Sequence, residues 1–215
     1  MAERKLYGYW RSSAAYRVRI ALNLKGLEYT HCPVHLVKEG GEQHSAAYHQ
    51  LNPSELVPTL VDDGVTLSQS LAIIEYLDDV YPQMPLIPRS GHKKYQVLSL
   101  AHDIAMDIHP INNLRVLQYL SNELAVNDEQ KAEWYRHWVQ VGFAAFEEKL
   151  NTRAGVFCVG DELSLADVCL VPQVYNAERF SVDMTPYPQI QRITQSLRAI
   201  PGFIKAEPEN QPDAQ

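Results

Sequence analysis

The chain is poor in the residues on which several kinds of chemistry depend. It has three cysteines in 215 residues, Cys32, Cys158 and Cys169. Their number is odd and none lies in a Cys-x-x-Cys pair. Cys158 and Cys169 sit in apolar surroundings (VFCVG and ADVCLVP), where reduced cysteine serves as a small hydrophobe. A reducing compartment is therefore favoured over a disulfide framework. No apolar stretch approaches the roughly 18 residues of a membrane helix. The first residues, MAERKLYGYWRSS, lack the apolar core of a signal peptide. A soluble, cytoplasmic protein is the expectation. There is no Gly-x-Gly-x-x-Gly after a strand, no phosphate-loop motif and no His-Glu-x-x-His, so nucleotide-fold and zinc-hydrolase readings have nothing to stand on. Positive charge is scarce as well. Lys plus Arg number 19 against 26 Asp plus Glu, a formal net charge of −7, which argues against nucleic acid as a partner.

What is present suits an ordinary globular chain, with 46% hydrophobic and 21% charged residues. That length allows one large domain or two modest ones. The charge balance has a local exception. Before Gly26 stand Arg4, Lys5, Arg11, Arg17, Arg19 and Lys25, against Glu3 alone. Such a segment could serve a small anionic ligand; a solvated helix face is the plainer reading.

The first 80 residues alternate strand-like and helical runs. Lys5–Trp10 reads as a strand and Ala14–Lys25 as a helix with Gly26 as its cap. Glu28–Val34 reads as a second strand, followed by a polar segment, Lys38–Gln50. Val57–Val61 and Val65–Leu67, split by Asp62-Asp63-Gly64, predict a hairpin. Leu71, Ile74 and Leu77 mark a helix running to Val80. Three prolines within 81–91 suit a linker. Beyond it, helices are predicted over 95–107, 114–124, 128–150, 165–180 and 189–200. Ser164-x-x-Asp167 is a capping box before one of them. The tail from Glu207 reads as irregular. His102, Asp103, Asp107 and His109 could suggest a metal site, but on one helix they project in different directions and Pro110 ends the element. No metal is expected.

The informative segment is Trp10-Arg11-Ser12-Ser13-Ala14-Ala15-Tyr16-Arg17-Val18-Arg19, at the junction of the first strand and first helix. Unsatisfied N–H groups and the positive end of the helix dipole favour an anion there. Ser12 and Ser13 could donate to a bound thiolate, or simply cap the helix, which is the safer reading from helix physics alone.

The run RSSAAYRVRIALNLKG resembles the signature of zeta-class glutathione transferases, a class that includes maleylacetoacetate isomerases. The likeness continues through Leu51-Asn52-Pro53, Val57-Pro58-Thr59-Leu60, the segment from Gln69 to Leu77, and His109 to Leu114. It resumes at Val159-Gly160-Asp161, the segment from Ala166 to Val174, and Asn176-Ala177-Glu178-Arg179-Phe180, ending near Gln211-Pro212-Asp213. The resemblance implies a glutathione transferase fold, α/β plus all-α. A thioredoxin-like domain would span residues 1–82 and a linker 83–91. A helical domain, 92–215, would complete the electrophile site, and the chain would form a homodimer.

The resemblance also implies glutathione as cofactor. Ser12 would hydrogen-bond its sulfur with help from Ser13, and Val57, before a cis Pro58, would pair with its cysteinyl backbone. Gln69 and Ser70 would hold the γ-glutamyl carboxylate, their plainer reading being an ordinary helix cap. Gln43, His109 and Asn113 are further glutathione contacts, the last two equally readable as helix caps. An anionic diketo acid would be held by Arg11, Arg115 and Arg179, arginine being suited to carboxylates by its fork; surface ion pairs are the alternative. The implied activity is isomerisation of maleylacetoacetate to fumarylacetoacetate in tyrosine and phenylalanine breakdown. Maleylpyruvate isomerisation, conjugate formation and a non-enzymatic binding role are its rivals. The class pattern has cysteine where this chain has Ala14, which leaves glutathione's own sulfur chemistry untouched and weakens the choice between substrates.

Overall fold

Strand β1, Lys5–Gly8, alternates half-exposed Lys5 and Tyr7 with buried Leu6 and Gly8, the period of two that a sheet imposes. It pairs in parallel with β2, Thr30–Pro33, and antiparallel with β3, Thr59–Asp62. A hairpin then carries the chain into β4, Val65–Ser68. Its turn uses Asp63 and Gly64 at φ of 47° and 80°, the left-handed pair that two-residue hairpins need. The sheet order is β2-β1-β3-β4. These coordinates, a computed structural model, describe residues 4–215. They divide into two compact units, residues 4–86 with 199–215, and residues 87–198.

In the first unit α1, Ser13–Leu24, is buried along nearly its whole length, with Val18, Ile20, Ala21 and Leu22 fully enclosed. Each large apolar side chain so enclosed stabilises by about 1.5–3 kcal/mol. Gly26, at φ 65°, ends it in the left-handed conformation while Leu27 N–H bonds back to Leu22 O at 2.9 Å. A short α2, Ala46–Leu51, precedes β3, and α3, Ser70–Val80, follows β4. The expected β-α-β-(α)-β-β-α order is the observed one.

The second unit is helical: α4 (His92–His102), a π-helical turn (Asp103–Ile108), α5 (His109–Ile111), α6 (Leu114–Asn122), α7 (Asp128–Arg153), α8 (Leu165–Arg179) and α9 (Pro188–Arg198). The predicted helix over 95–107 therefore starts earlier and ends in a π turn. That turn lies where Gly142 of α7 approaches so closely that a Cβ would stand 2.3 Å from Ile108 Cδ1. Helix α8 is the buried axis of this unit. Ser164 and Asp167 open it as predicted, and the Asp167 carboxylate, fully enclosed, accepts from Ser164 N, Ser164 Oγ and Cys158 N, each at 2.9 Å. Burial pushes its carboxyl pKa up, against those hydrogen bonds.

Two expectations change. Residues 199–215 do not group with the helices of the second unit. Helix α10, Pro201–Ala206, packs on α1 in the first unit, with Gly202 close enough that a Cβ would stand 2.9 Å from Leu24 Cδ2. The tail is fastened too: Gln211 Nε2 donates to Lys205 O and Glu207 O at 3.0 and 2.8 Å. The expected linker 83–91 is also no open tether, since Leu86 is buried and its N–H donates to the Asp78 carboxylate at 2.9 and 3.1 Å. Among the described residues no helix is long and apolar enough to cross a membrane.

Candidate active site

Sheet register gathers one group of predicted residues. Tyr7 lies opposite Thr59, and Thr59 opposite Ser68. The end of β1, the start of β3 and the end of β4 thus share one end of the sheet. Ser12 follows the first, Val57 precedes the second, and Gln69 and Ser70 follow the third.

At the β1–α1 turn Ser12 is the N-cap, at φ −68° and ψ 117°. Its N–H donates to Tyr9 O at 2.9 Å and its Oγ accepts from Ala15 N at 3.2 Å. The hydroxyl proton has no acceptor among the described residues, so capping and donating outward do not compete. The cap uses a lone pair, and the proton remains to serve an incoming anion. Ser13 is buried at the first helical position. Arg11 is exposed, its guanidinium 4.0 Å over the Trp10 ring.

Four other cations of this segment, Arg4, Arg17, Arg19 and Lys25, are spent on structure, which corrects the picture of a solvated basic face. Arg4 pairs with Asp62 at 3.3 Å, and Lys25 with Asp78 at 2.7 Å. Arg19 is fully buried and donates to Ala206 O at 3.0 Å, Tyr9 O at 3.5 Å and Trp10 O at 3.0 Å. Arg17, also buried, donates from Nη1 to Ser70 Oγ at 3.3 Å, tying α1 to the start of α3. From the other side Asp213 accepts from Trp10 N at 3.0 Å and meets His31 Nε2 at 2.9 Å. None of these holding roles for Arg17, Arg19, His31 and Asp213 was read from the sequence. The available signal was two arginines inside an otherwise apolar helix.

His31 is neutral in that contact at neutral pH. Burial lowers its pKa from the ordinary 6.5, with Arg19 adding to the effect and Asp213 only partly opposing it. Its Nδ1 is buried without a partner among the described residues, so a second proton there would go unsatisfied. Between the depressed value and 6.5 the unfolded chain binds a proton that the folded one does not. The stability from this group is thus present above 6.5 and is lost as pH falls through the folded value. The urea midpoint is expected to drop between about pH 7.5 and about pH 5.5, and to drop less in His31→Asn. Equal drops would refute the assignment.

The Val57–Pro58 peptide is cis, as the resemblance implies. Neither the N–H nor the C=O of Val57 is used by another described residue, which leaves its backbone open to pairing. Gln69 adopts φ 71° and ψ 112°, unusual for a residue with a side chain. No side chain caps α3, and the N–H groups of Ser70, Leu71 and Ala72 have no acceptor among the described residues. Such a helix start is a ready carboxylate site. Gln43 is buried, with Nε2 3.4 Å from Leu36 O and 3.0 Å from His44 Nε2, while its Oε1 has no described partner. Donor, open backbone and uncapped helix suit the sulfur, cysteinyl backbone and γ-glutamyl carboxylate of glutathione in turn.

The remaining predicted residues lie in the second unit. Asn113 caps α6, its Oδ1 accepting from Arg115 N at 3.2 Å, and Arg115 is exposed on the first turn. His109 opens α5. Arg179 ends α8, exposed, with Nη1 3.5 Å from Asn176 Oδ1 and its guanidinium 5.2 Å over the Phe180 ring. That ring stacks on Tyr135 at 3.6 Å.

Family models for the glutathione S-transferase N-terminal and C-terminal domains match residues 6–85 and 112–206. A Vibrio cholerae protein named as a probable maleylacetoacetate isomerase is 65% identical over 209 residues, 97% of each chain. The chain belongs to the zeta class of the glutathione S-transferase family. Solved structures of the class agree with this chain closely. A bacterial zeta-class maleylpyruvate isomerase in its holo form superposes with a TM-score of 0.94 at 42% identity, covering 98% of this chain and 100% of that one. The maleylacetoacetate isomerase of Methylobacterium extorquens, described with bound malonate and glutathione, gives 0.93 at 38% identity, covering 98% and 99%. The thioredoxin-like domain followed by a helical one is thus the family's fold carried by this sequence.

Proposed function

We propose that this zeta-class protein is a glutathione-dependent cis–trans isomerase of maleylacetoacetate. It would act in tyrosine and phenylalanine breakdown, in the cytoplasm, as a homodimer. The observation that carries the reading is the 65% identity to the Vibrio protein across 97% of both chains. The open hydroxyl of Ser12 supports it chemically. When bound, glutathione supplies a sulfur nucleophile that adds reversibly to the cis double bond, frees it to rotate, and is recovered. The protein's part is to make that sulfur available and to hold an anion beside it. Ser12 donates its hydroxyl proton to the thiolate, with the α1 dipole and Ser13 at the same helix start adding to the field. Val57 offers its backbone N–H and C=O to the peptide, and Ser70 with the α3 amides takes the carboxylate. Gln43, Gln69, His109 and Asn113 are assigned further glutathione contacts. Arg11, Arg115 and Arg179 are assigned to the substrate carboxylates and to the negative charge that builds up as the double bond is attacked.

The test is conversion of maleylacetone with and without glutathione, tracking total glutathione. Turnover that requires glutathione and leaves its total constant is expected. Stoichiometric loss of glutathione would replace the isomerase with a conjugating transferase. Maleylpyruvate is the second reading of the substrate, favoured by Ala14 at the position where the class pattern has cysteine.

A further inference from the structure

We propose that Asp213 is a positioning residue for this reaction: its carboxylate, carried back by the C-terminal tail, clasps the Trp10 amide and the His31 imidazole and so fixes the turn that presents Arg11 and Ser12. The assignment rests on the role proposed above for Ser12. Each carboxylate oxygen has its own task, Oδ2 on Trp10 N at 3.0 Å and Oδ1 on His31 Nε2 at 2.9 Å. The contact on Trp10 is two residues from Ser12 and immediately before Arg11, whose guanidinium rests on the Trp10 ring. The opposite face of the same turn is held by Arg19, which takes the carbonyls of Tyr9 and Trp10. The Tyr9 carbonyl also accepts the Ser12 N–H at 2.9 Å. An anion on the amide side and a buried cation on the carbonyl side therefore fix the peptides leading into the N-cap.

The tail is built to deliver this carboxylate. Gln211 is anchored on the backbone of Lys205 and Glu207, and Pro212 restricts the next step. His31 sits on β2, beside β1, so the clasp also joins the turn to the sheet. A tail that served packing alone would not need one carboxylate oxygen on the reaction turn and the other on the neighbouring strand. Charge-assisted hydrogen bonds of this kind hold geometry tightly, and small errors in placing a reacting group cost large factors in rate.

The test uses the full chain with Asp213→Ala, Asp213→Asn and a control lacking only Ala214 and Gln215. Three quantities are read: kcat and KM for glutathione with maleylacetone, the pKa of bound glutathione from its thiolate ultraviolet absorbance, and amide exchange over Trp10–Ser12. Asp213→Ala is expected to lower kcat about tenfold, move KM much less, raise the bound thiol's pKa and speed exchange at the turn. Asp213→Asn keeps one acceptor and loses the charge, and should lose about threefold. The control should match the wild type. Wild-type kcat and thiol pKa in Asp213→Ala, or an effect confined to thermal stability or KM, would overturn the proposal. Should the alanine variant not fold, wild-type values in Asp213→Asn overturn it equally. A wild type that holds glutathione as thiolate yet isomerises nothing would sink the isomerase reading instead. Thiol titration and amide exchange would then decide the clasp.

Discussion

Asp167→Ala is expected to lower folding stability by about 3–5 kcal/mol, the scale for stranding buried polar groups. The carboxylate is the shared acceptor for Ser164 N, Ser164 Oγ and Cys158 N, and none of these has water to turn to. Alanine leaves two backbone donors and a hydroxyl unsatisfied, at about 1–3 kcal/mol each. Part of that is offset because the enclosed carboxylate itself bears a desolvation cost, which raises its pKa. What remains is a large share of the 5–15 kcal/mol by which folded domains usually exceed their unfolded state. The site also opens α8, whose side chains are buried almost throughout, so the loss falls on the centre of the second unit. Urea unfolding followed by circular dichroism measures it. Asn at this position keeps one acceptor and should fall between; an unchanged alanine midpoint would refute the account.

Ser12→Ala is expected to lower kcat by roughly a hundredfold while costing only about 1 kcal/mol of stability. A thiol with an ordinary pKa near 8.5 is ionised to only a few per cent at neutral pH. A single well-aimed donor changes both the ionised fraction and the charge felt in the transition state. The stability loss is limited because Oγ caps one amide, Ala15 N, at 3.2 Å, on a helix whose burial holds it regardless. The two effects separate on measurement: steady-state kinetics on one side, thermal unfolding on the other. Wild-type turnover in the alanine variant would remove Ser12 from the chemistry.

Features governed by local chemistry were legible in the sequence. Asp62-Asp63-Gly64 needs only its own backbone preferences to turn, and Ser164-x-x-Asp167 needs only helix geometry to cap. Gly26 ends α1 for the same reason. Where partners are distant in the chain, legibility fails. That the Asp167 carboxylate also reaches Cys158 N cannot be read from the motif. Arg17 and Arg19 suggest a wet face because charge on a helix usually means solvent, yet α1 is enclosed on all sides and its arginines find carbonyls and a hydroxyl instead. The tail suggests irregularity because its prolines and polar residues say nothing of the surface waiting for them. The candidate glutathione residues of the first unit are legible through resemblance. The features that make them candidates, an uncommitted hydroxyl proton, an open backbone and an uncapped helix, arise only when the chain is folded.

The return of residues 199–215 to the first unit has a consequence for the order in which the protein is made. The first unit's two parts are separated by all of residues 87–198. On the ribosome its sheet emerges early, but the surface of α1 against which α10 packs waits until Pro201–Ala206 have left the tunnel. The helical unit lies wholly before that point and can assemble first. The Trp10–Ser12 turn thus gains its Asp213 contact only after residues 87–198 have been made, and a chain stopped before Asp213 would assemble its helical unit without that contact.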